Sequence, residues 1–363
     1  MNVLHLYRTY FPDTQGGLEE VIRQLCASTS ALGANCRVLT TSPSPHPQAI
    51  QRPECQVFQN KCDFEIASCN VSLSAIRNFK EHAKWADVVH YHYPWPFADL
   101  LHFCANHKKP TVVTYHSDIV RQRVLGMLYR PLMRSFLNAT NRIVCTSPNY
   151  FATSDVLSQF AQKVEVIPIG IEREEFCAGS PDIDELGSDY FLFVGVMRYY
   201  KGLHILLDAA KDAPYKIVLV GTGPIEADLR AQADKAGLKN VVFTGRIDDA
   251  TKHALYRQAR AVVFPSYLRS EAFGVTLVEG AMHGVPLIST EIGSGTSHVN
   301  IHNETGLVVP PSSHVGLRRA MDRLWFNPAE AKTMGDAAKR RYEKSFTANI
   351  MGERYFSLYN EIV

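Results

Sequence analysis

The sequence predicts an α/β protein with two doubly wound domains, each built on a parallel sheet, and three observations support this prediction. The chain has 363 residues, about the length of two ordinary domains. Short runs of β-branched and aromatic residues alternate with amphipathic helical segments along the chain. This alternation is interrupted near residues 176–188 by a linker-like segment of Gly, Pro, Ser and Asp. Buried runs joined by helices are typical of parallel sheets with right-handed crossovers.

Six strands are predicted in the first half, each from a short apolar run. They are VLHLY (3–7), CRVLTT (36–41), DVVHYH (87–92), PTVVTYH (110–116), RIVCTS (142–147) and KVEVIPIG (163–170). The segment 17–33 is predicted to be a helix, because its apolar residues recur at helical spacing and Gly33 can end it. The Pro-rich segment 42–48 is predicted to be a loop.

Five strands are predicted in the second half, again separated by helical segments. They are YFLFVG (190–195), YKIVLVG (215–221), NVVFTG (240–245), AVVFPS (261–266) and VPLIST (285–290). We therefore expect an N-terminal domain at 1–175, a C-terminal domain at 176–345 and a helical segment at 346–363 that crosses back to the first domain. Ligands of such sheets bind at the carboxyl ends of the strands, so we expect the two halves to face each other across a cleft.

Composition and charge narrow the function classes. Hydrophobic residues make up 46% of the chain and charged residues 20%, as in globular proteins. The net charge of +2 gives no indication of nucleic-acid binding. The eight cysteines form no C-x-x-C pair, so we expect reduced structural thiols. A metal site at the evenly spaced Cys55, Cys62 and Cys69 is the less favoured interpretation.

Targeting signals are not evident either. The opening MNVLHLYRTYFPD lacks the basic start, apolar core and small-residue cleavage site of a signal peptide. No apolar run reaches the length of a membrane-spanning helix. We therefore expect a cytoplasmic protein.

An anion site is predicted after the first strand of the second half. Arg198 and Lys201 in VGVMRYYKG precede a helix, whose N-terminal partial positive charge adds to theirs. Such a site suits a pyrophosphate, although solvated loop cations are the simpler interpretation of each residue alone. VGTGP (220–224) follows the next strand, and Gly221 there would allow a ligand to approach the backbone closely.

Two carboxylates bracket the start of a further predicted helix. Glu271 lies in the loop after a strand, and Glu279 lies about one turn into the helix that begins near Gly274. A carboxylate can accept two hydroxyl hydrogen bonds, so each glutamate suits a sugar diol, and one diol would be that of a ribose. The backbone N–H groups of Phe273, Gly274 and Val275 would remain free to contact a ligand. For either glutamate alone, an ordinary surface charge is the simpler interpretation.

Together these motifs resemble the family 4 glycosyltransferases. EAFGVTLVE (271–279), between FPS and GVPLIST, resembles their E-x7-E motif, and RYYKG and TQGGLEE are similar to their donor-phosphate site and glycine loop. The resemblance covers essentially the whole chain. It implies a GT-B fold, with two Rossmann-like domains facing across a deep cleft, and retaining transfer of a sugar from a nucleoside diphosphate donor. Within the family, the opening LHLYRTYFPDTQGGLEEVI is most similar to bacterial O-antigen mannosyl- and rhamnosyltransferases.

The resemblance also implies roles for single residues. Arg198 and Lys201 would neutralise the departing diphosphate, Glu271 would orient the donor sugar beside the amides of 273–275, and Glu279 would bind the ribose. Residues that would complete the site are Gly16 and Gly17, which reach the phosphate, Gly221 at the second strand end, Arg246 and Ile247 at the base, and His116 beside the anomeric carbon. His92 either shapes the acceptor site or is a satisfied buried histidine.

The same resemblance also indicates the substrates and whether a metal is needed. We expect no metal requirement, because the only D-x-D-like sequence, DID (182–184), lies in the predicted linker. The donor is expected to be GDP-mannose first, GDP-rhamnose second and a UDP-sugar third. The acceptor is expected to be a lipid-linked glycan, with other glycosyltransferases of the same synthesis as further partners.

Segment 119–142 is the expected contact with the cytoplasmic face of the membrane. It carries five arginines and no acidic residue, and Leu125, Leu128, Leu132 and Phe136 recur at helical spacing. An ordinary domain helix with a basic face is an equal alternative.

Three other functions remain open from the sequence. A nucleotide-sugar 2-epimerase of the same fold would bind a similar donor, but the E-x7-E arrangement disfavours it. A non-catalytic binding protein is disfavoured because the predicted site is intact. A nicotinamide dehydrogenase is disfavoured because the Gly-x-Gly sequence lacks the third glycine and the downstream acid of a dinucleotide fingerprint.

Overall fold

The computed structural model describes residues 1–119, 123–172 and 187–363. Two compact units are present, one formed by Met1–Glu172 with Ala348–Val363 and the other by Arg173–Thr347. Residues 176–186 of the predicted linker (176–188), its DID sequence and Arg121 lie outside the described residues. Among the described residues, no helix has both the length and the apolar character needed to cross a membrane.

The first unit contains a large sheet, a short hairpin and surrounding helices. Its strands are β1 (Asn2–Leu6), β2 (Asn35–Ser42), β3 (Ala49–Gln51), β4 (Gln56–Lys61), β5 (Phe64–Ile66), β6 (Cys69–Val71), β7 (Val88–Tyr93), β8 (Thr111–Tyr115), β9 (Arg142–Cys145) and β10 (Val164–Val166). Its helices up to residue 172 are α1 (Gly17–Ala31), α2 (Leu73–Trp85), α3 (Pro96–Ala105), α4 (Arg123–Ala139), α5 (Pro148–Thr153) and the 3-10 helix Leu157–Lys163.

The large sheet has the order β10-β9-β8-β7-β1-β2-β4-β3. All its neighbouring strands are parallel except β3, which runs antiparallel to β4 at the edge. The six predicted strands form the centre and one side of this sheet. The sequence prediction missed β3 and β4, because QVFQNK in β4 has only two apolar residues, Val57 and Phe58, and does not form a continuous apolar run.

The described part of the second unit, 187–347, contains one parallel sheet of six strands. The strands are β11 (Tyr190–Val194), β12 (Ile217–Val220), β13 (Val241–Gly245), β14 (Ala259–Phe264), β15 (Leu287–Thr290) and β16 (Gly306–Val309). The helices are the 3-10 helix Tyr199–Lys201, α6 (Leu203–Ala210), α7 (Glu226–Lys235), α8 (Asp249–Gln258), α9 (Val275–Met282), α10 (Thr296–Val299), α11 (His314–Phe326) and α12 (Pro328–Ser345). The sheet order is β13-β12-β11-β14-β15-β16, and β16 is the strand that the sequence prediction missed.

The last helix, α13 (Ala348–Ile362), belongs to the first unit. It packs on α1, where a Cβ atom added at Gly352 would lie 2.5 Å from Ser28. The hydroxyls of Tyr359 and Tyr355 bond to His90 and Thr114 beneath the sheet. The unit boundary at Thr347/Ala348 lies two residues beyond the boundary expected from the sequence.

Candidate active site

The carboxyl ends of β11 to β14 carry most of the predicted donor-binding residues. Arg198 and Lys201 lie in the loop after β11, Arg246 and Ile247 follow β13, and Glu271 lies between β14 and α9. Because parallel strands end at the same edge of a sheet, these loops gather on one side of the second unit.

Lys201 and Glu271 form one ion pair. The Lys201 Nζ donates to Glu271 Oε2, and each side chain is only 12% exposed. Nζ also lies 4.5 Å from the centre of the Phe264 ring, which adds a cation–π contact. The pair has no net charge, whereas Arg198 beside it is exposed, and its side chain forms no hydrogen bond or ion pair with any described residue. The unbalanced positive charge in this loop therefore comes from Arg198.

Glu279 is held by two residues of α8. The Tyr256 hydroxyl donates to Oε2 at 2.7 Å, and Lys252 Nζ lies 3.0 Å from Oε1. Lys252 also pairs with Asp249 at 2.9 Å. Each carboxylate oxygen has two lone pairs, so both oxygens of Glu279 can accept a further hydrogen bond from a ligand hydroxyl.

The charges around Glu279 affect the neighbouring protonation states. Burial by itself would lower the pKa of Lys252, but the negative charges of Glu279 and Asp249 raise it above its ordinary value. Burial, together with the charge of Glu279, raises the pKa of Tyr256 well above its ordinary value. The Lys252 ammonium and the Tyr256 hydroxyl thus both remain hydrogen-bond donors to Glu279 at neutral pH.

The sequence prediction missed Lys252 and Tyr256. They are four residues apart on α8 and therefore lie on one face of that helix. The signal available in the sequence was the four-residue spacing of a cation and a hydroxyl, which places both on one face of a helix. Their link to Glu279, 23 to 27 residues further along the chain, depended on how α8 and α9 meet β14.

Gly274 begins α9 in a backbone conformation that favours glycine. Its φ is +91°, and an added Cβ atom would lie 3.1 Å from Leu277 Cδ1 and 3.2 Å from Phe264 Cε1. Phe273 is buried, while Val275 is the first helical residue. The first N–H groups of a helix have no partner within that helix, so this backbone is suited to contact a ligand oxygen.

Gly221 has a packing role in the structure. Its φ is +116°, and an added Cβ atom would lie 2.3 Å from the carbonyl oxygen of Gly195. Its N–H donates to the Gly245 carbonyl at 2.8 Å. The close approach of the β11 and β12 loops explains this glycine, and its N–H group is already used by the protein.

Arg246 and Ile247 lie immediately before α8. Arg246 is exposed and Ile247 is half-buried. The next residue, Asp248, caps α8 by accepting a 2.7 Å hydrogen bond from the Thr251 N–H. The predicted base-contacting residues therefore directly precede the helix that holds Glu279.

In the first unit, Gly16 and Gly17 form the start of α1. Gly16 is the N-cap residue, and an added Cβ atom there would lie 2.6 Å from Glu19 Oε2. Glu19 is buried, and its Oε1 accepts hydrogen bonds from the hydroxyls of Thr9 and Thr14, both at 2.9 Å. Glu19, at the third helical position, was missed although this is the usual position of a capping-box carboxylate. It ties the glycine loop to the segment after β1.

His116 follows β8 and is one end of a buried chain of imidazoles. Its Nε2 lies 3.1 Å from His92 Nδ1, and His92 Nε2 lies 3.2 Å from His5 Nδ1. Burial lowers the pKa of His116 to about 3, and burial with neighbouring histidines lowers the pKa of His92 well below its ordinary value. His92 has a protein partner on both nitrogens, which favours the interpretation of a satisfied buried histidine.

Comparison with known proteins decides the family. The model "Glycosyltransferase Family 4" matches residues 15–175, and the model "Glycosyl transferases group 1" matches residues 183–341. The D-rhamnosyltransferase WbpZ of Pseudomonas aeruginosa is 53% identical over 96% of this chain and 93% of its own length. This chain belongs to the family 4 glycosyltransferases.

One further relative agrees with this assignment, and one solved structure agrees with the predicted fold. The O-antigen chain mannosyltransferase C of Escherichia coli is 46% identical to this glycosyltransferase over 100% of this chain and 99% of its own length. The solved structure of sucrose-phosphate synthase from Thermosynechococcus elongatus superposes with a TM-score of 0.84 at 22% identity, covering 99% of this chain and 98% of that one. The predicted GT-B fold and glycosyltransferase class are confirmed.

Among the described residues of the first unit, two buried groups bring metal-type ligand atoms within 4.8 Å of one another. One is His5, His90 and His92, and the other is His5, Cys26 and Cys36. In the first group, both nitrogens of His90 and of His92 already have protein partners. A metal bound there would have to replace those hydrogen bonds.

Proposed function

We propose that this glycosyltransferase transfers mannose or rhamnose, with retention of configuration, from a GDP-linked donor to a lipid-linked saccharide in O-antigen or surface polysaccharide synthesis. The full-length similarity to a D-rhamnosyltransferase and an O-antigen mannosyltransferase supports the sugar and the pathway class. GDP-mannose is the first donor to test, GDP-rhamnose the second and UDP-sugars the third.

The main structural support for this proposal is the carboxylate of Glu279, which two residues of α8 hold in place. Two donors from α8 fix Glu279, and lone pairs remain on both oxygens for a ribose diol. The start of α9 would offer its N–H groups to the donor, and Glu271 would orient the sugar hydroxyls. Arg246 and Ile247 would contact the base.

Leaving-group stabilisation is proposed to use protein cations. Negative charge develops on the diphosphate as the sugar departs, and fixed positive charge at that position lowers the barrier. Arg198 supplies the unbalanced charge, while Lys201 shares its charge with Glu271. Both motif carboxylates are paired with lysines, which supports a metal-free site. His116 is proposed to contact a donor-sugar hydroxyl, and Gly16 and Gly17 to allow the phosphate to approach.

A thermal-shift and turnover panel tests the donor. The ligands are GDP-mannose, GDP-rhamnose, UDP-glucose, UDP-GlcNAc and NADH at saturation, each with and without EDTA. Ligand at about 100 times its Kd should raise the apparent stability by about 2.7 kcal/mol. We expect a shift with one GDP-sugar that EDTA does not change and that Glu279→Ala abolishes.

The matched control is Glu343→Ala, which removes an exposed carboxylate on α12. It should leave the shift unchanged. A shift with UDP-sugars alone would overturn the GDP proposal, and sensitivity to EDTA would overturn the metal-free site. Formation of an epimerised sugar without any acceptor would favour the 2-epimerase function.

Peripheral binding to anionic lipid is proposed for the exposed face of α4. Met127 and Leu128 are 70% and 75% exposed, and Arg130 and Arg134 on the same helix are exposed as well. Exposed apolar side chains beside arginines suit the surface of an anionic membrane. This proposal would place the enzyme at the cytoplasmic face, where a lipid-linked acceptor is accessible.

Vesicle co-sedimentation tests this surface. The variant Arg130→Gln/Arg134→Gln should bind phosphatidylglycerol vesicles about 30-fold more weakly, since each basic residue contributes about 1 kcal/mol near an anionic surface. The control Lys235→Gln/Lys239→Gln removes two exposed cations of the second unit. Equal binding by both double variants would contradict a role for α4.

A further inference from the structure

The three imidazoles of His5, His92 and His116 lie on or directly after adjacent strands of the first sheet. β1 pairs with β7, and β7 pairs with β8. The ring centres of His5 and His92 are 5.4 Å apart, as are those of His92 and His116. Each neighbouring pair is joined by one nitrogen-to-nitrogen hydrogen bond, at 3.2 and 3.1 Å.

A chain of neutral imidazoles can have only one direction. A neutral ring carries one N–H donor and one acceptor nitrogen, so the donor of each ring must face the acceptor of the next. His92 uses both nitrogens within the chain. The tautomer of His116 is therefore coupled, through His92, to the tautomer of His5.

Burial keeps the rings of His92 and His116 neutral. His5 and His92 are at most 1% exposed and His116 is 7% exposed. Burial lowers the pKa of His116 to about 3 and that of His92 well below its ordinary value, so neither ring is charged at neutral pH.

Other groups packed against the chain use their own partners. His90 lies with its ring centre 4.4 Å from that of His92, but its nitrogens bond to Tyr359 and Thr114. His90 is therefore not a member of the hydrogen-bonded chain formed by His5, His92 and His116.

The environment of His5, at the inner end of the chain of imidazoles, indicates the direction in which the hydrogen bonds run. His5 Nε2 is buried and has no hydrogen-bond partner among the described residues. A buried N–H without an acceptor is rarer than a buried acceptor without a donor. An unprotonated His5 Nε2 is therefore favoured, which makes His5 Nδ1 the donor to His92.

We propose that His5 and His92 are positioning residues that hold His116 in its Nδ1–H tautomer. In this arrangement His5 Nδ1–H donates to His92 Nε2, and His92 Nδ1–H donates to His116 Nε2. The outer nitrogen of His116, Nδ1, is then a hydrogen-bond donor.

The consequence concerns the proposed transfer reaction, on which this step rests. A neutral His116 with Nδ1–H donates a hydrogen bond to an oxygen of the donor sugar, and it cannot accept a proton there as a base. His92 and His5 act through His116 and need not touch the substrate.

Nitrogen-15 NMR of the full-length protein, labelled at histidine, tests the tautomer directly. Long-range proton–nitrogen spectra distinguish protonated from unprotonated ring nitrogens, and His116→Gln assigns the His116 signals by their loss. We expect Nδ1 to be protonated and Nε2 unprotonated in the wild-type His116. The Nε2–H tautomer in the wild type would overturn the proposal, whatever the His92 variants do.

Two substitutions of His92 form a matched pair. An Asn amide reaches the position of Nδ1 and keeps a donor to His116, whereas a Gln amide reaches the position of Nε2 and keeps only the contact with His5. We expect His92→Asn to preserve the Nδ1–H tautomer with kcat within about 3-fold, and His92→Gln to lose that tautomer with kcat about 10-fold lower. The donor KM should be similar in both.

Equal kinetics of the two variants, or an unchanged His116 tautomer in His92→Gln, would contradict a positioning role. If His92 variants do not fold, His5→Gln provides the second break in the chain. The NMR measurement needs no substrate, so it separates this proposal from the proposed function. If His116 carries Nδ1–H but the protein uses no GDP-sugar, the proposed chain of imidazoles is supported and the GDP-linked donor is rejected.

Discussion

At the residue scale, the position of Glu279 depends on side chains of α8. Tyr256 and Lys252 each hold one of its oxygens, so the carboxylate is fixed before any ligand arrives. A group fixed in this way loses little conformational entropy on binding.

Tyr256→Phe should weaken nucleotide binding. The substitution removes the 2.7 Å hydrogen bond to Glu279 Oε2 and preserves the ring. We expect the Kd for GDP to rise about 3- to 10-fold, measured by calorimetry. The control is Tyr215→Phe, which removes a similar 2.8 Å bond to Asp322 elsewhere in the unit. The same Kd for both variants would argue against the role given to Tyr256.

His116 should make the stability of the protein depend on pH. Its folded-state pKa of about 3 is below the ordinary 6.5, so the unfolded chain binds more protons between these values. Its contribution to stability is therefore fully present above pH 6.5 and is lost as the pH falls toward 3. In that window, each such group changes the free energy of unfolding by about 1.4 kcal/mol per pH unit.

Urea unfolding between pH 7 and pH 5 measures this slope. His116→Gln should reduce it by the equivalent of about one proton at the acid end. The exposed His314 of the second unit provides the control variant His314→Gln. An unchanged slope in His116→Gln would show that His116 can be protonated in the folded protein.

At the scale of elements, the loops after β11 and β12 pack backbone against backbone. Gly195 N–H donates to the Val220 carbonyl, and Met197 N–H donates to the Thr222 carbonyl at 2.9 Å. An added Cβ atom at Gly221 would lie 2.3 Å from the Gly195 carbonyl oxygen, and one at Gly223 would lie 2.4 Å from the Met197 carbonyl oxygen. The loop that carries Arg198 is thus supported by its neighbour.

Gly221→Ala should destabilise the second unit more than Gly237→Ala does. Both glycines have positive φ, at +116° and +63°, but an added Cβ atom at Gly237 meets nothing within 4 Å. We expect backbone strain of about 1 to 2 kcal/mol at either position. The clash at Gly221 should cost a further 1 to 3 kcal/mol, about what overpacking costs. Thermal and urea unfolding would measure the difference, and equal losses would show that the loops separate easily.

At the scale of the whole molecule, the chain returns to its first unit after completing the second. α13 contributes Met351, Tyr355, Leu358 and Tyr359 to the buried core beside β1, β2 and α1. Each buried side chain of this size contributes about 1.5 to 3 kcal/mol. Together they are comparable to the whole stability of a typical domain, which is about 5 to 15 kcal/mol.

Deletion of residues 347–363 should therefore unfold the first unit. Limited proteolysis with mass spectrometry should find new cleavage within 1–172, while 187–346 resists. The control Tyr355→Phe/Tyr359→Phe retains the apolar area and removes the bonds to Thr114 and His90, so it should fold with reduced stability. Protection of 1–172 in the deleted chain would show that α13 is dispensable.

Local sequence by itself determined the class of fold and the elements that carry the site. Buried strands, the helix starts at Gly16 and Gly274, and the spacing of Glu271 and Glu279 depend on interactions over a few residues, so hydrophobic period and turn residues reveal them. Strands β3, β4, β5, β6 and β16 were missed because their sequences do not combine a long apolar run with clear boundaries.

Only the tertiary structure decided which side chains meet. Lys201 pairs with Glu271 across 70 residues, and His90 meets Tyr359 across 269. The packing of α8 beside α9 gives Glu279 its partners, and the order of β1, β7 and β8 aligns three imidazoles. Strand order and helix packing follow from burying apolar surface across the whole domain, so no local pattern in the chain contains them.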